Sequence, residues 1–385
     1  MHRPHARVGY HGPMPRPVRT AARYRRRRLA ALTLFILAVA LAAALVRAAC
    51  DDEPPFTGKL SKPGGGRAWR VTAWNTGDAA SLKRAAAAQA VDEVDFVWYL
   101  SQADGSVTAE HEDLDLVRDT RRRDIQAFAT VVNRVPGGDF DGAIAARILA
   151  DEESRTRHVE ALVDLVLDKG YDGLDLDWEL VRPEDRDRFS AFVEELAGKL
   201  HDEDRLLAIA VFPKDSEPGR WDTQKGADYA RLGAAVDEFK VMTYSYSGRW
   251  SDPGPQTPLA WARRMLRFAA SQVPPEKVLM GVPFYGIDWH KDTTTAVFWE
   301  DADATRRNVE APLARHDASG EATFTYTDDD EVMHTVWFQD REAVAIKTGF
   351  FRRKLGDLAG IAIWQMHRED PRFWTTIRKE LRAAK

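Results

Sequence analysis

The sequence predicts an α/β fold, a (β/α)8 or TIM barrel, preceded by an N-terminal membrane segment. From Trp69 onward, apolar strand-like runs of five to eight residues alternate with longer runs whose apolar residues recur three and four apart. About eight such units occupy about 320 residues, and a barrel of this kind needs roughly 250. The first fifty residues differ from the rest, because they carry ten arginines, no acidic residue and one long apolar stretch.

The N-terminal segment has the charge distribution of a membrane anchor. Residues 1–28 form a basic tail that we expect in the cytoplasm, and residues 29–46 are apolar or small apart from Thr33. As a helix this stretch reaches about 27 Å, close to the ~30 Å hydrocarbon core of a bilayer. Because basic flanks stay on the cytoplasmic side, we expect the remaining chain outside the cytoplasm.

Two alternatives remain open for this segment. It can be a signal peptide that is cleaved to give a secreted protein, or a lipoprotein signal, because Cys50 follows Ala48 and Ala49. Residues 47–66 contain three prolines and three consecutive glycines, which predicts a linker. All three possibilities predict an exported protein whose folded domain begins near Arg67.

The body of the chain, residues 67–385, is predicted to form the barrel. Residues 290–345 interrupt the alternation and include a β-rich piece around an acidic turn, which predicts a small α+β insertion between strands seven and eight. A doubly wound open sheet is the rival fold, but no glycine-rich phosphate loop follows the first strand. The predicted barrel strands are residues 69–73, 94–100, 125–132, 173–178, 206–212, 238–244, 278–284 and 359–364.

The composition limits the possible partners. The chain of 385 residues has a net charge of −5, and because residues 1–50 carry +10, the remainder carries −15. An acidic body argues against nucleic acid as a partner. Cys50 is the single cysteine, so neither an intrachain disulfide nor a cysteine-based metal site can form. Histidines such as His158, His290 and His334 show no zinc-site spacing and are predicted on the surface or on helices. We therefore expect a monomer without metal or cofactor.

Three acidic residues on the fourth predicted strand are the main catalytic candidates. Side chains alternate across a strand, so Asp175, Asp177 and Glu179 share one face, which in a barrel is the interior. Mutual repulsion and loss of solvation raise carboxyl pKa values there. Glu179 lies at the carboxyl end of the strand, at the catalytic mouth, where a protonated acid suits glycoside hydrolysis. A half-exposed strand, or a carboxylate site for Mg²⁺ or Ca²⁺, would also explain the pattern.

The same stretch resembles the family 18 glycoside hydrolases. Residues from Asp172 to Glu179 have that family's DxxDxDxE form, residues 241–244 resemble its sixth-strand motif, residues 281–286 its seventh-strand motif and Trp364 its eighth-strand tryptophan. The resemblance covers residues 68–380. Within the family, four further segments are most similar to the bacterial spore-germination and cortex-lytic subgroup; they are residues 182–186, 253–255, 336–338 and 368–371.

The resemblance implies a barrel that cleaves β-linked N-acetylglucosamine glycans, of the peptidoglycan or chitin type, with retention of configuration. Glu179 would protonate the glycosidic oxygen while the substrate's acetamido carbonyl attacks the anomeric carbon. Asp177 would hold the acetamido nitrogen, and Asp175 would share its proton. Tyr244 would hold the carbonyl oxygen, and Trp364 would form the floor of the sugar subsite with Met242 packed against it.

Five further residues are candidates for substrate binding. Asn133 and Tyr285 follow predicted strands, and Trp74 lies at another strand end where a sugar could stack. Asp172 begins the acidic motif. Ser245 stands where many relatives have an acidic residue, and the third strand lacks the Ser-x-Gly-Gly of chitinases. Because of these two departures, we expect substrate contacts and affinity for chitin to differ from those of typical chitinases.

Two other functions stay open at this point. The same barrel can be a glycan-binding protein without catalysis, as occurs in this family when the acid is replaced, but Glu179, Asp177 and Tyr244 are all present. Metal-dependent hydrolysis by the three acids would be abolished by a chelator. The leading hypothesis is a glycosidase at the cell envelope.

Overall fold

The structure is a computed structural model that describes residues 69–291 and 293–381. The predicted basic tail, membrane segment and linker lie outside these residues, so they stay predictions. Among the helices that the structure describes, none combines the length and the apolar character that a membrane crossing needs.

Eight parallel strands form a closed barrel. The prediction of a (β/α)8 barrel is confirmed, because each strand pairs with the next and the last pairs with the first. One short strand, β3 (Val107–Ala109), pairs antiparallel with the carboxyl end of the second barrel strand. The barrel strands are β1 (Arg70–Asn75), β2 (Glu93–Ser101), β4 (Gln126–Val132), β5 (Gly173–Asp177), β6 (Leu206–Val211), β7 (Glu238–Val241), β8 (Val278–Pro283) and β14 (Gly360–Trp364).

Helices surround the barrel, and several begin at an aspartate that caps the first turn. Asp78, Asp151 and Asp340, for example, each accept a hydrogen bond from a backbone N–H three residues later. The helices are α1 (Ala79–Ala87), α2 (Leu114–Arg121), α3 (Gly142–Ile148), α4 (Glu152–Lys169), α5 (Arg186–Asp202), α6 (Asp222–Lys225), α7 (Tyr229–Ala235), α8 (Leu259–Gln272), α9 (Trp299–Asn308), α10 (Arg341–Lys354) and α11 (Phe373–Leu381).

The insertion between β8 and β14 is a five-stranded antiparallel sheet with α9 beside it. Its strands are β9 (Tyr285–His290), β10 (Thr293–Phe298), β11 (Ala314–Arg315), β12 (Ala322–Thr327) and β13 (Met333–Phe338), in the order β10-β9-β13-β12-β11. The predicted start at residue 290 is wrong by five residues, because the chain continues from β8 almost directly into β9. The predicted end at 345 is also too late, since α10 already begins at Arg341.

Candidate active site

The acidic residues of β5 face the barrel interior, as the alternation predicts. Asp175 is fully buried and accepts hydrogen bonds from Trp74 Nε1 at 2.7 Å and Thr130 Oγ1 at 3.0 Å. Trp178 points outward instead and stacks on Phe192 of α5 at a ring-centroid distance of 4.9 Å. Side chains of other strands therefore contact the inner face of β5, and α5 packs on its outer face.

A buried lysine lies beneath the acidic residues of β5. Lys240 Nζ is 3.2 Å from Asp175 Oδ1, 2.8 Å from Asp95 Oδ1 and 3.2 Å from Glu93 Oε1, and all four side chains are inaccessible to solvent. Burial alone would lower the pKa of Lys240, but the surrounding carboxylates, that of Asp175 foremost, raise it well above its usual range. A positive charge therefore lies within ion-pair distance of Asp175, below the row of acids.

Asp177 and Glu179 are held in surroundings that favour their protonated forms. Asp177 is 4% exposed, and its Oδ1 has no hydrogen-bond partner. Burial, followed by the charges of Glu179 and Asp175, raises the pKa of Asp177 well above its usual range. Burial also raises the pKa of Glu179 to about 7. Near neutral pH, the mouth of the barrel therefore offers carboxyl groups that still carry a proton.

The backbone around Glu179 is fixed by a side chain on the neighbouring strand. Asn133 is fully buried; its Oδ1 accepts the Glu179 N–H at 2.8 Å and its Nδ2 donates to the Glu179 carbonyl at 2.8 Å. Leu180 then takes a positive φ of 58°. A Cβ at Gly142 would lie 2.2 Å from the Leu180 carbonyl oxygen, so the glycine permits this close packing.

Tyr244 stands across the site from the acids. Burial, followed by the charge of Asp177, raises the pKa of Tyr244 well above its usual range, so its hydroxyl remains a hydrogen-bond donor. Its ring meets Tyr285 edge-on at 6.2 Å. The Tyr285 hydroxyl lies 2.7 Å from Ser245 Oγ, and Ser245 itself has a positive φ of 58°. The Ser245 hydroxyl therefore helps to position Tyr285 beside Tyr244.

An apolar wall completes the mouth of the barrel. Trp364 and Trp74 meet edge-on with ring centroids 5.6 Å apart, and Met242 belongs to the same cluster. Trp74 is 1% exposed and Met242 is 7% exposed, whereas Trp364 is partly accessible. Trp364 thus offers a face to a sugar, and the other two support it from below.

Two residues predicted to bind substrate instead make hydrogen bonds and ion pairs within the protein. Asp172 precedes β5 at the amino ends of the strands, opposite the mouth, where it forms an ion pair with Arg121 at 2.9 Å and accepts the Ala127 N–H. Asn133 is near the mouth, but both polar atoms of its buried side chain bond the Glu179 backbone. The motif spacing could not show this, because it does not record which residues of neighbouring strands and helices these two side chains contact.

Exposed aromatic side chains mark the rim of the mouth. Trp250 after β7 is 66% exposed, Trp221 after β6 is 59% exposed and Tyr246 is 49% exposed. Trp221 and Tyr246 escaped sequence analysis. Trp98 on β2 and Trp289 on β9 are buried instead. Exposure is the property that separates the two groups, and it is not visible in the residue type.

The histidines also differ from the prediction. His158 is on α4 but is fully buried, and burial lowers its pKa to about 4. His290 and His334 lie on two neighbouring strands of the insertion, with parallel rings 4.8 Å apart. The prediction that the histidines lie on the surface or on helices is therefore wrong for His334, which is buried on β13. Sequence spacing did not pair it with His290, because the sheet register joins residues that are distant along the chain.

Fold and site together define a class of protein: a barrel hydrolase with a protonated glutamate at the carboxyl ends of its strands, of the glycosidase type. Residues 135–369 match the family described as Glycosyl hydrolases family 18. The chain belongs to this family and is a glycosidase.

Two relatives and one solved structure are similar to this chain. The uncharacterized glycosylase YvbX of Bacillus subtilis (strain 168) is 29% identical over 67% of this chain and 76% of its own length. The cortical fragment-lytic enzyme of Bacillus anthracis is 27% identical over 63% of this chain, and the alignment spans only 57% of that enzyme. The crystal structure of a chitinase from Chromobacterium violaceum covers 82% of this chain and 100% of its own, with 29% identity and a TM-score of 0.76.

Proposed function

We propose that this glycosidase hydrolyses β-linked N-acetylglucosamine glycans with retention of configuration, using the substrate's own acetamido group as the nucleophile. The proposal rests on the row formed by Asp175, Asp177 and Glu179. The middle residue, Asp177, is buried, and its Oδ1 has no hydrogen-bond partner within the protein. That oxygen is available for the acetamido nitrogen of a bound sugar. Substrate assistance of this kind is one of the routes that retaining glycosidases use.

The reaction runs in two steps. In the first, Glu179 gives its proton to the glycosidic oxygen, the bond from that oxygen to the anomeric carbon breaks, and the acetamido carbonyl oxygen bonds the anomeric carbon. Asp177 accepts the acetamido N–H and Tyr244 donates to the carbonyl oxygen. In the second step Glu179 takes a proton from water, whose oxygen attacks the same carbon and opens the oxazolinium ring.

The substrate proposal is peptidoglycan, with chitin-type oligomers as the second candidate. Relatives named as a cortical fragment-lytic enzyme and as a chitinase support glycans that contain N-acetylglucosamine. We propose further that residues 29–46 anchor the chain at the outer face of the membrane, or that Cys50 is lipidated there. An envelope location places the barrel beside wall glycan strands.

The decisive experiment is hydrolysis of purified peptidoglycan and of N-acetylglucosamine oligomers by the wild-type chain and by Glu179→Gln. Glutamine cannot give up a proton, so we expect kcat to fall by about 10²- to 10⁴-fold. Mass spectrometry of the products identifies the bond that is cut. Absence of turnover in the wild type, with tight glycan binding retained, would contradict the proposal and favour a glycan-binding barrel.

A second experiment isolates the role of the acetamido group. Nuclear magnetic resonance of the first product formed should show the β-anomer. An oligomer with a hydroxyl in place of the 2-acetamido group should not be cleaved, because it lacks the nucleophile. Cleavage of both oligomers at similar rates would mean that a protein carboxylate attacks instead.

A further inference from the structure

We propose that the insertion binds one divalent transition metal ion, of the Zn²⁺ type, through Asp288, His290 and His334. One donor atom from each of these residues lies within 4.8 Å of the others. The site is formed within the small antiparallel sheet, and it takes no part in the glycosidase reaction.

The sheet register explains why the three side chains meet. Asp288 and His290 are two residues apart on β9, so they point to the same face of the sheet. On β13, His334 pairs directly with His290, and Val336 pairs with Asp288. Trp289, on the opposite face, donates its indole N–H to the Gly248 carbonyl at 3.2 Å, which fixes the orientation of β9.

Two donor atoms of the cluster are buried and have no hydrogen-bond partner. They are Asp288 Oδ1 and His290 Nδ1, and they face each other at 3.9 Å. That distance is too long for a hydrogen bond. Because a buried polar atom without a hydrogen-bond partner destabilises the fold, such atoms point to a bound ion or water. Metal–ligand distances of about 2.0–2.2 Å allow a single ion to contact both after small side-chain adjustments.

His334 is oriented as a ligand that a second carboxylate supports. Its Nε2 lies 3.3 Å from Asp328 Oδ2, and its Nδ1 lies 2.8 Å from Asp288 Oδ2. If Nε2 carries the proton and donates it to Asp328, the lone pair of Nδ1 points toward the Asp288 carboxylate, where the ion would lie. Histidine ligands in metal sites usually donate their other N–H to a carboxylate in this manner.

The donor set selects the type of metal. Two imidazoles and one carboxylate suit Zn²⁺ and its transition-metal neighbours, whereas Mg²⁺ and Ca²⁺ prefer oxygen ligands. The rings are held in place by stacking, since Tyr326 stacks on His334 at 4.4 Å and His334 stacks on His290 at 4.8 Å. Solvent would complete the coordination, because Asp288 and His334 are each only 8% exposed but His290 is partly accessible.

A metal at this position would join β9 to the hairpin formed by β12 and β13. β9 begins at Tyr285, which borders the catalytic site through Ser245. The ion would thus stabilise the insertion against unfolding, and it would leave the charges of Asp177 and Glu179 unchanged. The expected effect is on stability and metal content, which makes the test independent of glycosidase activity.

The test measures binding of Zn²⁺ alone to the untagged full-length chain, by equilibrium dialysis and metal analysis, with affinity from competition against a chromophoric chelator. His2, His5 and His11 can bind zinc on their own. The decisive quantity is therefore the difference between the wild type and His290→Gln. We expect one zinc fewer per chain in His290→Gln and in Asp288→Asn. Asp328→Asn should bind about 10- to 100-fold more weakly.

His316→Gln is the matched control, because His316 follows β11 in the same insertion and hydrogen-bonds Ser319 outside the cluster. It should keep the full zinc content. Zinc should raise the unfolding temperature of the wild type and of His316→Gln but not that of His290→Gln. Equal zinc content in wild type and His290→Gln would overturn the proposal and assign the gap between Asp288 and His290 to water.

A further readout covers the case in which the variants fail to fold. Co²⁺ bound by two imidazoles and a carboxylate gives visible absorption bands whose intensity reports its coordination number. We expect these bands in the full-length wild type, beyond the spectrum that Co²⁺ gives with a peptide of residues 1–11 measured alongside. A folded chain without the bands would also overturn the proposal.

Discussion

Glu179 owes its proposed role to burial. Because burial raises its pKa to about 7, the side chain still holds a large share of its proton at neutral pH. Asp177 lies beside it with a raised pKa, so the two carboxyl groups titrate as a pair. The proton that the leaving group needs is therefore present under ordinary conditions.

This leads to a prediction about pH. A general acid must be protonated, so kcat/KM should fall as pH rises above about 7, by about tenfold per pH unit once deprotonation is complete. The pH dependence of kcat/KM on an N-acetylglucosamine oligomer checks this. A rate that is unchanged well into the alkaline range would show that Glu179 is not the proton donor.

A second prediction concerns Asn133. Both hydrogen bonds from its side chain fix the backbone of Glu179, so Asn133→Ala should displace the acid and lower kcat by about 10- to 100-fold. KM should change little, because the buried amide does not reach the substrate. Steady-state kinetics check this, with Asn308→Ala on the exposed end of α9 as the control. A rise in KM with unchanged kcat would instead indicate that Asn133 contacts the substrate.

At the scale of secondary-structure elements, the packing of α4 and α5 on the outer face of β5 holds the catalytic strand in place. Trp178 stacks on Phe192 and donates its indole N–H to Ser101 Oγ at 3.0 Å. His158 of α4 contacts the same Ser101 oxygen at 3.1 Å and the Gly105 carbonyl at 2.9 Å. The imidazole is therefore a buried polar connection between α4 and the loop after β2.

This connection predicts a dependence of stability on pH. Burial lowers the pKa of His158 from 6.5 to about 4, so the folded state binds fewer protons than the unfolded state in this range. The stabilising contribution is fully present above pH 6.5 and is lost as pH falls toward 4. Between pH 7.5 and about pH 5 the loss from this one group is about 2 kcal/mol.

Urea unfolding at the two pH values measures this loss. His158→Gln removes the titrating group, so the difference in unfolding free energy between the two pH values should shrink by about 2 kcal/mol. Val163→Ala on the same helix removes no titrating group, so it is the control and should leave that difference unchanged. An equal difference in wild type and His158→Gln would contradict the prediction.

At the scale of the whole molecule, the prediction concerns the side of the membrane on which the barrel lies. Under the proposal that residues 29–46 anchor the chain with residues 1–28 in the cytoplasm, we expect the full chain to partition with membranes and the barrel to be cut by protease added to intact spheroplasts. Cys50→Ser separates the two forms of attachment, since it releases a lipoprotein but not a helical anchor. A barrel protected from protease would contradict export.

Sequence alone determined the barrel and the row of acids. Both depend on local periodicity: the alternation of apolar runs gave the order of strands and helices, and the two-residue repeat placed Asp175, Asp177 and Glu179 on one face. Their order along β5 also placed Glu179 toward the mouth. Each of these properties is a matter of neighbours along the chain.

Only the tertiary structure decided which distant residues meet. Barrel closure placed Lys240 against Asp175, and pairing between β9 and β13 joined Asp288 to His334, 46 residues later. Strand register also turned Asn133 toward the Glu179 backbone. Register and closure are set by packing of the whole chain, so no spacing within the sequence records them.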